Sequence, residues 1–384
     1  PWFVMRSSPW MWSSVEIAAI EQSIPFHRCF RVAELPFVVF DPQGPRVPQL
    51  AASCNEIWTV DDVVKLLELA KTDTALDLEG HTGQVTSVSV MPDGRVVSGS
   101  RDQAILMWDA TTGREVRRLM GHTDRVNSVC VTPNGRIASG SDDKTVRLWN
   151  LDVGRSPQTF KGHTGRVTGV CVTPDGRYVV SGSEDKTVRV WDVNNGAQEV
   201  TQEVTRLEGH QGMVTTVCVT PDSLFVVSGS DDATVRLWGL ANKDCRGVLQ
   251  HPRPVTSLCM TPDGLHVISG SDDHLLRMWN ISGHDVASGN GCVQFCSEGH
   301  SDFVTCVHVS PNGRHIVSGS YDGTVRVWNV DSRQEVCTMN HRNPVTSVCV
   351  VPDGRQVVVG SDKTVSIWDL ASGRRVRQLK GHKG

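Results

Sequence analysis

The chain has 384 residues, 39% of them hydrophobic and 21% charged, so it carries enough apolar material for a sizeable core. Its 35 Gly and 18 Pro stay well below the ~25–30% share of a disordered low-complexity chain. A net charge of −4 gives no global pull toward nucleic acid or an anionic membrane, and no run of ~18 apolar residues offers a transmembrane helix.

Residues 1–72 form an N-terminal extension without internal repetition, rich in Trp and Pro (Trp2, Trp10, Trp12, Trp58). The first residue is Pro1 rather than Met, which points to a fragment or a processed form. The opening residues lack a basic start followed by an apolar stretch, so no secretory leader is expected. Thr59-Val60-Asp61-Asp62 has the form of a capped helix start, and Val63, Leu66, Leu67 and Ala70 then make one apolar stripe, which predicts a helix over about 60–71. Asp41-Pro42, Leu50-Ala51-Ala52, Cys54 and Trp58 weakly resemble the C-terminal half of an F-box, although the spacing after Leu35-Pro36 is short and Pro45 and Pro48 oppose helix. That resemblance implies the alternative function, a substrate receptor of a cullin ubiquitin ligase.

From residue 73 onward the chain repeats. Trp108, Trp149, Trp191, Trp238, Trp279, Trp328 and Trp368 each follow a His by 27 or 28 residues: His81, His122, His163, His210, His251, His300 and His341. The His-to-His steps are 41, 41, 47, 41, 49 and 41, and His382 follows by another 41. In residues 162–192, Val167, Val170 and Val172 belong to one strand, Pro174-Asp175-Gly176 to a turn, and Tyr178–Val180 to a second strand. Glu184-Asp185-Lys186 is a tight turn before a third strand, Thr187–Trp191. A short fourth strand, such as Arg114–Leu119, precedes the next Gly-His. A four-stranded unit exposes both faces, so it must stack on copies of itself, and radial closure protects the edges.

The period and the Gly-His…Trp-Asp signature resemble the WD40 repeat β-propeller family. The resemblance covers residues 73–384 and implies an all-β, seven-bladed propeller of four-stranded blades, with Gly381-His382 opening a possible eighth unit. Departures occur in several units: the Asp after Trp is Asn at Asn150, Asn280 and Asn329, and Gly at Gly239. The Gly before His is Gln250 in the fifth and Asn340 in the seventh. The seventh also has Val359 for the first Ser of Ser-Gly-Ser and a turn one residue shorter, so the seventh blade should be the least regular. Two segments compete to complete the last blade, Ala75–Leu78 and Arg375–Leu379.

Each unit carries His, Ser, Asp and Trp at fixed spacing, with Asp six residues before Trp. Ser, His and Asp together invite a hydrolase reading, but seven copies argue for a role in every blade rather than one active site. The family resemblance implies structural tetrads instead, in which Asp holds His, His reaches Ser and Ser accepts the indole N–H. The candidates are His81, Ser98, Asp102, Trp108; His122, Ser139, Asp143, Trp149; His163, Ser181, Asp185, Trp191; His210, Ser228, Asp232, Trp238; His251, Ser269, Asp273, Trp279; His300, Ser318, Asp322, Trp328; and His341, Asp362, Trp368. Either Ser of each Ser-Gly-Ser could serve, since both point the same way on a strand.

Five of the 12 Cys sit eight residues after the repeat His: Cys130, Cys171, Cys218, Cys259 and Cys349, with Ser89 and His308 in the other two units. A small apolar side chain packing in the first strand explains them better than a metal or redox ring. Cys292, Cys296 and His300 lie close together but lack an evident fourth ligand, so no zinc is expected. The Cys pattern favours a reducing compartment. No phosphate-loop, HExxH or GxSxG motif occurs, and the sequon Asn280-Ile281-Ser282 follows a repeat Trp and is read as chance.

With no catalytic constellation, cofactor or metal expected, function should lie on the loops. The residues just before the tetrad Asp are Arg101, Asp142, Glu184, Asp231, Asp272, Tyr321 and Ser361. Those just before the Val that opens each first strand are Gln84, Arg125, Arg166, Met213, Pro254, Phe303 and Pro344. Together they predict a rim with an acidic arc and an apolar patch. The expectation is a non-enzymatic, monomeric protein-interaction scaffold within a larger complex, in the cytoplasm with the nucleus as an alternative. It would bind basic or mixed protein segments with an apolar anchor, but neither nucleic acid nor membrane. The propeller part of a larger enzyme is a further alternative.

Overall fold

The computed structural model describes residues 80–152, 156–193, 203–281, 299–341 and 343–380, together with the strand backbone at 3–6, 29–31, 37–40, 50–51, 57–58 and 292–294. The chain divides into two compact units, Pro1–Ala75 and Leu76–Gly384. In the first, Phe3–Arg6 and Cys29–Arg31 flank Phe37–Phe40 in an antiparallel sheet, and Leu50–Ala51 pairs with Ile57–Trp58. The expected helix over 60–71 and most of the F-box-like stretch lie outside the described residues.

Among the described residues, the second unit contains seven four-stranded antiparallel sheets, each with its strands in chain order: an all-β, seven-bladed propeller. In the second blade the innermost strand Val126–Val131 pairs with Ile137–Ser141, then Thr145–Trp149, then the outer strand Gln158–Lys161. The inner strands are rich in Val and Thr, which suit a pleated, half-buried surface. Their register slips by one residue after the opening Val, as between Val126 and Ser128. The first turn of six blades places Gly at positive φ, as at Gly135 (79°) and Gly176 (69°), and the fourth has Ser223 there (59°).

The core lies between blades rather than within them. Ala138, Val146, Leu148 and Phe160 of the second blade pack with Val167, Val170, Val179 and Trp191 of the third. The Gly of Ser-Gly-Ser makes this close approach feasible: a Cβ at Gly140 would lie 2.5 Å from Val167 Cγ1 of the next blade. Burying a side chain such as Val167 contributes roughly 1.5–3 kcal/mol, so neighbouring blades stabilise one another strongly.

A belt of side chains on the inner strands ties the blades together. The hydroxyl of Thr86 donates to Val126 O (2.6 Å), Asn127 Nδ2 to Val167 O (2.8 Å), Thr215 to Val255 O (2.5 Å), Thr256 to Val304 O (2.5 Å) and Thr305 to Val345 O (2.7 Å). Thr168 donates to Val214 O in the same way. Thr346 closes the circle onto Val85 O at 2.7 Å. Val85 N also donates to Asp362 O (2.6 Å) and Val88 N to Ser347 Oγ (3.0 Å), so the seventh blade meets the first without exchanging a strand. The last blade is completed locally, by Arg375–Lys380 on Thr364–Asp369, which closes a smaller loop than a strand from the other end of the unit would. Ala75–Leu78 lies outside the described residues.

Candidate functional site

Five blades bring His, Ser, Asp and Trp into one chain of hydrogen bonds. In the second blade His122 Nδ1 donates to Asp143 Oδ2 (2.7 Å), Ser139 donates to His122 Nε2 (2.7 Å), and Trp149 Nε1 donates to Ser139 Oγ (2.8 Å). The same contacts join His81, Asp102, Ser98 and Trp108 in the first blade and His163, Asp185, Ser181 and Trp191 in the third. They recur for His210, Asp232, Ser228 and Trp238 in the fourth and His300, Asp322, Ser318 and Trp328 in the sixth. It is the first Ser of Ser-Gly-Ser that takes part. The second, such as Ser141, accepts from the backbone N–H of the tetrad Asp (3.1 Å) and shapes the turn.

These groups are buried but satisfied. Burial raises the Asp102 pKa, yet the His81 hydrogen bond and charge, with backbone donors Ala104 and Thr82, outweigh it and bring it to about 2. Burial likewise raises Asp232, but the Thr234 hydroxyl, the Gln211 backbone N–H and then His210 outweigh it and bring it to about 2. Every tetrad atom is engaged, and each Ser lies 0% exposed, so none is presented to a substrate. The arrangement can fix loops to the sheet; as it stands it offers no free nucleophile.

The fifth and seventh blades depart from the expected set. In the fifth, Ser269 still bridges His251 (2.9 Å) and Trp279 (2.7 Å), but Arg277 Nη2 holds Asp273 Oδ2 at 2.7 Å. His251 Nδ1 is left without a partner, and Asp273 is therefore not its tetrad Asp. The cause is Gln250. In the second, third and fourth blades the equivalent arginine lies over the glycine before His: Nη1 of Arg147, Arg189 and Arg236 stands 2.6–2.8 Å from where a Cβ on Gly121, Gly162 or Gly209 would be. A side chain at 250 fills that space, and Arg277 turns to the nearest carboxylate.

In the seventh blade the shorter turn shifts two expected positions. Ser361 pairs with Thr364, is 3% exposed and accepts no rim role; its hydroxyl donates to Pro344 O (3.0 Å), as Ser271 does to Pro254 O (2.9 Å). Asp362 is exposed at φ 48° and occupies the rim instead of reaching His341. His341 Nε2 has no partner, and Trp368 donates to Ser366 Oγ (2.9 Å) because Val359 offers no hydroxyl.

The repeated thiols line the inner strands. Cys130, Cys171, Cys218, Cys259 and Cys349 are free. Burial pushes Cys130 and Cys259 up to about 11 and Cys349 up to about 12, so these thiols are poor nucleophiles. No cluster of metal-ligating side chains occurs among the described residues. Both ring nitrogens of His300 are engaged, by Asp322 and Ser318, while the Cys292 side chain and Cys296 lie outside what is described.

The two rows of loop residues form one rim. The backbone N–H of Arg101 donates to Gln84 O, Asp142 to Arg125 O, Glu184 to Arg166 O, Asp231 to Met213 O and Tyr321 to Phe303 O, each at 2.9 Å; Asp272 donates to Pro254 O at 3.1 Å. Arg166 and Glu184 approach at 3.6 Å, both largely exposed. Asp142 accepts from Asn127 (2.7 Å). Asp231 and Asp272 have no ion-pair partner among the described residues. Burial raises the Asp231 carboxyl first, and the neighbouring charge of Asp272 raises it further. Beside them, Phe303 stacks on His274 with ring centroids 5.7 Å apart and planes 6° apart. Phe303 is 45% and Tyr321 56% exposed. The stack was not foreseen, although His274 directly follows the tetrad Asp position and its reach across to the next blade follows from the strand order.

Seven segments match the family model for the WD domain, G-beta repeat: residues 73–109, 113–150, 154–192, 201–239, 243–280, 290–329 and 333–369, together well over half of the chain. Among curated proteins, "Cross-pathway control WD-repeat protein 2" of Flammulina velutipes is 40% identical over 60 residues, 15% of this chain and 19% of the relative. "Small ribosomal subunit protein RACK1y" of Oryza sativa subsp. japonica is 36% identical over 83 residues, 21% of this chain and 23% of the relative. The chain therefore spans about a fifth of the length of each relative. The seven matched segments run through the seven four-stranded blades, and the chain belongs to the WD40 repeat family.

Proposed function

We propose that the chain is a non-catalytic protein-interaction scaffold that engages partner segments on the rim built by the second turn of each blade. The observation that carries this reading is the proximity of Asp231 and Asp272, two carboxylates on adjacent blades with no ion pair among the described residues, beside the half-buried His274 and the exposed Phe303 stacked on it. Arg, Lys or a free amine of a partner would relieve the repulsion between the two acids, and an apolar side chain would cover Phe303 and Tyr321. Aromatic residues dominate interface energies, which favours this sector of the rim over the Arg166–Glu184 sector, where charges already compensate each other. Asp142, Glu184 and the exposed Asp362 extend the acidic rim, while Arg125 and Arg101 set its basic boundary. The satisfied tetrads and the high-pKa thiols favour a binding role over a reaction. The family membership supports the same class of function.

The test is quantitative capture from a native lysate with the intact chain and with an Asp231→Lys, Phe303→Ala variant as baits. Partners retained by the first and lost by the second support the rim. An unchanged partner set contradicts it.

A further inference from the structure

The opposite ends of the blades carry a second set of turns, between the first and second strands, and these differ among blades in one informative way. The residue that ends this turn is arginine in five blades: Arg95, Arg136, Arg177, Arg314 and Arg355. In the fourth and fifth blades, which are neighbours, it is leucine: Leu224 and Leu265, 57% and 44% exposed. The two turns touch, because Gly264 sits against Pro221, where a Cβ would stand 3.2 Å from Pro221 Cδ. Pro221, Leu224, Pro262 and Leu265 are all exposed and make one apolar patch at a place where the rest of the ring presents cations.

The charges around the patch are also uneven. In the first blade Arg95 Nε donates to Asp93 (2.7 Å) and neutralises the turn carboxylate. With leucine in that position, Asp222 and Asp263 lose such a partner. Each carboxylate keeps only local donors through Oδ1, Thr220 (2.5 Å) and Leu224 N (2.9 Å) in one turn, Thr261 (2.5 Å) and Leu265 N (2.9 Å) in the other. Neither has an ion pair among the described residues. The patch therefore combines exposed leucines with two uncompensated negative charges, the complement of an apolar segment carrying cations.

We propose that this patch is a second docking surface, for an extended protein segment with two apolar side chains flanked by Lys or Arg. It lies at the other end of the blades from the Asp231–Asp272 rim, so the chain would join two partners rather than hold one. This inference goes beyond the scaffold reading and does not depend on the residues that carry it.

The test uses the intact chain and two fluorescein-labelled synthetic peptides. One has two leucines separated by a serine and flanked by lysines; the matched peptide has glutamates in place of the lysines. Anisotropy titrations are run on the wild type, on Leu224→Arg with Leu265→Arg, and on Asp231→Lys with Phe303→Ala. Arginine occupies the position in five other blades, so the first variant keeps the fold, and its thermal melt checks this. The expected result is at least about tenfold tighter binding of the lysine peptide, a loss of about tenfold or more in the leucine variant, and no change in the rim variant. No binding, equal binding of both peptides, or binding untouched by the leucine variant overturns the proposal. So does a wild-type dimer in sedimentation that the leucine variant abolishes, since that assigns the patch to a second copy of the chain. Loss of binding only in the rim variant also overturns it, while leaving the rim as a binding site.

Discussion

Arg277 holds Asp273 at 2.7 Å, the carboxylate that in five other blades is bound by histidine. The exchange traces to one residue on another strand, Gln250, which occupies the space an arginine side chain takes over glycine elsewhere. His251 pays for it: burial, and then the Arg277 charge, depress its pKa to about 4 against the opposing pull of Asp273. A single departure from the repeat thus rewires a buried network without altering the strand order.

The first prediction reverses that change. Gln250→Gly lets Arg277 return over the glycine and Asp273 meet His251. The expected gain is about 1 kcal/mol in urea unfolding, the net worth of a restored buried hydrogen bond. The His251 ring should also titrate at higher pH by NMR. A loss of stability, with His251 unmoved, would show that Gln250 does not govern the exchange.

The intact tetrads should be costly to break and the incomplete set of the seventh blade cheap. His122→Ala or Asp143→Ala strands buried polar groups and should cost roughly 1–3 kcal/mol. His341→Ala removes a ring whose Nε2 already lacks a partner, and should cost less than either. Equal losses at all three positions in chemical denaturation would contradict the assignment.

Stability should fall with pH in two stages. Burial depresses His251, His308 and His341 to about 4 from the ordinary 6.5. The unfolded chain therefore binds protons that the folded chain excludes between pH 6.5 and 4, and acidification through that window destabilises the fold. Below the ordinary carboxylate value of 3.8, the unfolded chain protonates Asp102 and Asp232 while the folded chain holds them ionised down to about 2, so their contribution is lost across that second window. His308→Cys places at this position the residue five other blades carry, and should flatten the first stage when urea midpoints are compared from pH 7 to pH 4.5 or so. An unchanged slope would mean that His308 is already protonated in the folded chain.

The belt makes a prediction about closure. Thr346 donates to Val85 O at 2.7 Å and to Gly360 O at 3.0 Å, where the last blade meets the first. Thr346→Val keeps the shape and removes the hydroxyl, and should cost about 1 kcal/mol, with faster amide exchange at the strand Val85–Val90. Protection unaltered there would place the closure in the apolar packing alone.

Most of the propeller was legible because a strict period carries its own register. His122 and Trp149, 27 residues apart, fall in one blade by spacing alone. The belt was equally legible and was missed: a Thr or Asn follows the opening Val in all seven units, at Thr86, Asn127, Thr168, Thr215, Thr256, Thr305 and Thr346. What spacing alone could not yield were the exceptions. Asp362 keeps the six-residue distance to Trp368, but the turn lost its residue on the other side, so the aspartate moved to the rim and Ser361 into the strand. The displacement of Arg277 depends on which residue stands before His251, 27 positions away, which no local pattern records. The rim residues can be listed from chain position alone, yet the His274–Phe303 stack needs two blades side by side. The leucine patch required comparing one turn position across all seven units.

The most direct test of the scaffold reading is site-specific photo-crosslinking from the intact chain. A photoreactive phenylalanine analogue is placed at Tyr321 on the rim and, in a separate protein, at Val204 on an outer strand, both exposed. After irradiation in native lysate, the account predicts discrete partner adducts from position 321 that disappear when Asp231→Lys and Phe303→Ala are added. Adducts from position 204 alone, or adducts from 321 that survive those substitutions, would contradict it.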